Sequence, residues 1–89
     1  MASVVLTPKA AEQLDALSNP IHARLLRLII RLESWPEVSG AKPLSGNLAG
    51  SFRLRTGDYR LQFHVVGDKS IGETVIIDGI GHRDGFYEE

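Results

Sequence analysis

The 89 residues are 43% apolar and 24% charged, a balance that predicts one soluble folded domain over residues 1–89 and excludes a disordered chain. The absence of cysteine excludes disulfide staples, thiolate metal sites and a cysteine nucleophile. A net charge of −1 announces no bulk attraction to nucleic acid.

"ASVVL" (2–6) is a short β-branched run and predicts a strand. Thr7 follows as an N-cap with Pro8 at the first helical position, and Ala11, Leu14 and Leu17 form the stripe of a first helix that Asn19-Pro20 breaks. A second helix is expected from Pro20 to about Trp35, stopped by Pro36. Its apolar face is Ile21, Leu25, Leu28, Ile29 and Leu32, and Arg24, Arg27 and Arg31 share another face. Residues 36–50, "PEVSGAKPLSGNLAG", read as a loop. Strands follow at about 51–57, 58–66 and 71–80, with "GDKS" as the last turn. The order β-α-α-β-β-β predicts an α+β fold: an antiparallel sheet with a helical hairpin packed on one face. "MASVVLTPKAAEQ" lacks a cationic leader, and "LLRLIIRL" is too short to span a bilayer, so the cytoplasm is the expected location and no membrane partner is expected.

"RLRTGDYRLQF" (53–63) carries the chemistry. Leu54, Tyr59, Leu61 and Phe63 are the residues a sheet would bury, while Arg53, Arg55 and Arg60 alternate with them toward the other face. With Gly57-Asp58 as the turn, Arg55 stands opposite Arg60; with Thr56-Gly57, Arg53 takes that place. Either register sets like charges across a ladder, which is destabilising, and Asp58 can offset only one of them. Guanidinium forks suit phosphate and keep their charge, so the face reads as an anion site. Gln62 and His64 belong to the same face as substrate-binding candidates. "GIGHRDGFYEE" adds His82, Arg83 and Tyr87: a proton carrier, a phosphate holder and a ring that can stack on a base. "SGNLAG" lacks the Gly-Lys-Ser/Thr of a phosphate loop, and His22, His64 and His82 lack metal-ligand spacing, so no cofactor and no metal are expected.

The segment "LSGNLAGSFRLRTGDYRLQFHVV…VIIDGIGHRDGFY" resembles the RelE/ParE superfamily of toxins from bacterial toxin–antitoxin pairs. The resemblance covers about residues 44–87 and runs in the family's order: a leucine-glycine loop, an alternating basic strand, Gly-Asp-Tyr-Arg, an apolar strand and a terminal His-Arg…Tyr. In the RelE branch it implies metal-independent cleavage of messenger RNA in the ribosomal decoding site, by attack of the 2′-hydroxyl on the adjacent phosphate, and so inhibition of translation. Arg53 and Arg55 match two basic strand residues that are often lysines, Arg60 matches the Tyr-Arg motif, and Arg83 and Tyr87 match the terminal pair. An arginine cannot serve as general base. The proton therefore passes through His82, His64 or Tyr87, or catalysis rests on positioning and charge. The implied partners are a cognate antitoxin from a neighbouring gene, the ribosome and mRNA. The alternatives are a ParE-like inhibitor of DNA gyrase without nuclease activity, and an inactive antitoxin-binding relative.

Overall fold

The computed structural model describes residues 2–68 and 70–82. Strand β1 (Ser3–Leu6) runs straight into helix α1 (Pro8–Asp15). The junction is Thr7, whose side-chain oxygen accepts the Ala10 N–H at 3.1 Å and caps the helix that Pro8 opens. Helix α2 (Asn19–Arg31) follows, with Leu25 and Leu28 buried at helical spacing. It ends four residues before the expected Trp35. Leu32–Ser34 tighten into a 3₁₀ turn, and Trp35, preceding Pro36, is extended (φ −49°, ψ 137°) because proline disfavours the helical region in the residue before it.

The expected loop over 36–50 holds one more short strand, β2 (Lys42–Pro43), which pairs Lys42 with Arg53 and Pro43 with Phe52. Proline is tolerated there because β2 is an edge. Strands β3 (Ser51–Thr56), β4 (Tyr59–Asp68) and β5 (Gly72–His82) form a meander, and the sheet order is β1-β5-β4-β3-β2. The α+β architecture is as expected, but the sheet is mixed and five-stranded rather than wholly antiparallel. β1 lies parallel to β5, with Val4 against Val75 and Leu6 against Ile77. Its direction follows from α1, which starts at once after Leu6 and packs back over β5.

Both helices cover the same sheet face. Ala10 and Leu14 from α1, Leu25 and Leu28 from α2, and Leu32 meet Leu54, Leu61, Phe63, Val75, Ile77 and Ile80 in one core. Trp35, Phe52 and Phe63 close its end with ring centroids 5.0–5.5 Å apart, two contacts edge-on and one stacked. At the β4–β5 turn the Asp68 carboxylate accepts from the Ser70 hydroxyl (2.6 Å) and from the N–H groups of Ser70 (2.9 Å) and Ile71 (3.1 Å). These bonds, the Ser70 hydroxyl first, hold its pKa below the usual carboxylate value. The group's stabilisation is present above the unfolded carboxylate pKa and is lost as pH falls through the lowered one. Gly67 has φ +90°, and a β-carbon there would run into the Gly72 carbonyl oxygen, so this turn requires glycine. Among the described residues, no helix is long and apolar enough to cross a membrane.

Candidate anion-binding face

Thr56 pairs with Tyr59, so Gly57-Asp58 is the two-residue turn. Gly57 takes φ +59° and, among the described residues, no non-glycine residue has positive φ, Asp58 included, the sign pattern of a type II′ hairpin. Of the two registers open to the sequence, this one sets Arg55 directly across from Arg60. Phe52–Phe63, Leu54–Leu61 and Thr56–Tyr59 are the pairs on the helix side. Ser51–His64, Arg53–Gln62 and Arg55–Arg60 are the pairs on the open side. Lys42, the partner of Arg53 across the edge, joins the open face as a fourth cation that the spacing of the sequence alone does not assign to it.

Arg55 is exposed, while Arg53, Arg60, Gln62 and His64 are half-buried. Neither Arg53 nor Arg55 forms an ion pair among the described residues. Across β4 from Arg60 and Gln62 stand Gly81 and Gly79, so β5 offers backbone rather than side chains beside them. Beyond the turn, a β-carbon on Gly57 would lie 3.8 Å from Arg24 Nη1, which places one arginine of the α2 stripe at the same end of the molecule. Arg31, by contrast, donates from Nη2 to the Ser39 carbonyl at 2.6 Å and ties down the following loop.

A β-bulge decides the rest of the site. The β4–β5 register shifts between Gln62 and Phe63: Phe63 faces Ile77, but Gln62 faces Gly79, which leaves Asp78 as the extra residue. Its carboxylate reaches the open face, where Oδ2 lies 2.7 Å from His64 Nδ1. Helix α1 holds the bulge. The Ile80 N–H donates to Gln13 Oε1 at 2.8 Å, and the Thr7 hydroxyl donates to the Asp78 carbonyl at 3.4 Å. Gln13→Ala would leave a part-buried N–H without that acceptor and should lower stability by about 1–3 kcal/mol, measured by urea denaturation. In that variant, exchange protection should fall first at Ile80.

The bulge also reverses the side on which the end of β5 stands. Without it, alternation from the buried Ile77 would set His82 on the arginine face. With it, Ile80 enters the core opposite Leu61, and His82 stands opposite Tyr59 on the helix side, their rings edge-on with centroids 5.2 Å apart. His82 is therefore not gathered with Arg53, Arg55 and Arg60. Arg83 and Tyr87 lie outside the described residues. Asp78 is the residue that sequence reasoning missed. Its only mark was "IIDGIG", an aspartate and a glycine interrupting an apolar strand, which is the composition of a bulge. Among the described residues, no group of three or more His, Cys, Asp or Glu side chains could hold a metal ion.

No protein-family model matches the sequence, and neither does any curated protein sequence. Solved structures do match. A chain of the RelBE2 toxin–antitoxin complex from Mycobacterium tuberculosis is 32% identical, with a TM-score of 0.77 over 92% of this chain and 98% of that one. The YoeB/ParE toxin from Agrobacterium tumefaciens shares the fold at 20% identity (TM-score 0.75, covering 90% of this chain and 97% of that one). So does the isolated RelE toxin of E. coli at 13% identity (TM-score 0.75, covering 98% and 89%).

Proposed function

The chain belongs to the RelE/ParE superfamily of toxins, and on that footing we propose that it is a ribosome-dependent endoribonuclease that cleaves messenger RNA and thereby stops translation. One observation carries the reading: three guanidinium groups and a lysine stand together on the sheet face that the helices leave uncovered, in two directly opposed like-charge pairs, Lys42–Arg53 and Arg55–Arg60. Such a pair is destabilising, and it favours a site whose occupant is an anion. In the proposed reaction the RNA's own 2′-hydroxyl attacks the neighbouring phosphorus. The product is a 2′,3′-cyclic phosphate and a free 5′-hydroxyl. Arg53, Arg55 and Arg60 hold the phosphate in line and oppose the charge that grows on its oxygens in the transition state. Arg83 and Tyr87 are proposed to complete the site as a further phosphate holder and a base-stacking ring.

The proposed partner in the resting state is an antitoxin, as the solved RelBE complexes among the structural relatives support. An acidic or amphipathic segment of it would neutralise the cationic face. The test adds purified protein to translating ribosomes and maps the 5′ ends of the messenger, with a gyrase supercoiling assay beside it. Cleavage within ribosome-engaged codons is the expected result. Intact messenger together with blocked supercoiling would replace the nuclease with a gyrase inhibitor.

A further inference from the structure

We propose that His64 and Asp78 form the proton-transfer pair of this face, with His64 as the catalytic base and Asp78 as its positioning residue; the assignment rests on the nuclease reading above. A carboxylate can only accept a hydrogen bond, so the 2.7 Å contact requires the proton on His64 Nδ1 and leaves the lone pair of the neutral ring on Nε2. His64 and Asp78 side chains are 36% and 31% exposed, enough for the ring to meet a bound substrate and for the carboxylate to stay partly shielded. The charged groups around the ring are Asp78 from β5, Arg53 from β3 and, farther off, Lys42 from β2 and Arg60 on its own strand. Arg53 is diagonal to His64 across the ladder, a Cα separation of roughly 7–8 Å, within reach of an arginine side chain. One phosphodiester can then touch the Arg53 guanidinium and the imidazole together.

No arginine on the face can take a proton from a hydroxyl, and the bulge puts His82 on the other side of the sheet. Among the described residues, His64 is the imidazole that shares the face with the arginines. The same bulge is what brings Asp78 to it, and α1 spends two polar side chains, Gln13 and Thr7, on holding that bulge. In the step itself, the 2′-oxygen forms its bond to phosphorus as its proton passes to Nε2. The bond from phosphorus to the 5′-oxygen then breaks, and that oxygen takes the proton back from the imidazolium through water. Protons balance and no co-reactant is consumed.

The experiment measures ribosome-dependent cleavage across about pH 5 to 9 for the wild type, His64→Ala, His64→Gln, Asp78→Asn and Asp78→Glu, each first checked for native circular dichroism. Wild-type cleavage should rise with pH, as a base that acts in its neutral form requires, and then level off. His64→Ala should be about 100-fold slower and lack that rise, and added imidazole should restore part of its rate. Asp78→Asn, which favours the wrong tautomer, should lose at least about 10-fold, and Asp78→Glu should recover part of that loss. A folded His64→Gln that stays within about threefold of wild type, or keeps the pH rise, overturns the pair while leaving the nuclease reading in place. A wild type that cleaves no messenger overturns that reading, and the pair with it.

Discussion

Arg60→Ala should leave a folded protein whose ribosome-dependent cleavage is about 100- to 1000-fold slower, the usual effect of removing one fixed donor to a developing oxyanion. Arg60 is the central cation of the face. It stands on the middle strand, flanked by Arg55 on β3 and Gly81 on β5, with its Nε buried. Its stem is thus held by the sheet, and the guanidinium needs little rearrangement as charge builds on the phosphate. Folding should survive because the core is on the other face. The substitution also relieves the repulsion from Arg55, a stabilising change of about 0.2–1 kcal/mol that offsets part of the lost stem packing. Arg60→Lys should recover only part of the rate, since a point charge replaces a two-pronged donor. The measurement is single-turnover cleavage on programmed ribosomes, with thermal melting as the folding control. An Arg60→Ala protein that melts like the wild type and cleaves at an unchanged rate would remove the cationic face from the mechanism.

Phe63→Ala should be the most damaging change to stability, costing about 3–5 kcal/mol. Phe63 has no solvent exposure, stacks on Phe52 with centroids 5.5 Å apart and meets Trp35 edge-on at 5.4 Å, so its loss empties the junction of β3, β4 and the end of the helical layer. A chain of this size has a total stability of roughly 4–13 kcal/mol, so the substitution removes about a quarter of it or more. The expected fall in melting temperature is roughly 12–40 °C, read by circular dichroism at 222 nm. Val5→Thr is the control: Val5 is 47% exposed on the open face, and its replacement should change stability by no more than about 0.5 kcal/mol. Phe63→Ala also bears on function. The register shift in the β4–β5 ladder begins at Phe63, so loosening it should release the bulge that holds Asp78 beside His64.

The hairpin at the centre of the molecule was legible residue by residue. Leu54, Leu61 and Phe63 alternate with Arg53, Arg55, Arg60 and Gln62 because a strand has a period of two, and a strand buried on one side sorts its side chains by that period alone. Thr7-Pro8 and Asn19-Pro20 marked both helix starts for equally local reasons, a cap oxygen and a ring that fixes φ. The direction of β1 was not local. "SVVL" pairs equally well either way, and the parallel choice comes from α1 having to fold back over β5 as soon as β1 ends. Lys42 belonged to an apparent loop until β3 supplied the partner that made Lys42–Pro43 a strand. The side on which the end of β5 faces was least local of all. A single extra residue at Asp78, held through the Ile80 N–H by Gln13 67 positions before Ile80, moves His82 to the helix side, buries Ile80 and brings a carboxylate to His64. Patterning along one strand determines which residues share a face only while the ladder stays in step; a bulge breaks that step, and the helix packed across the sheet decides where it falls.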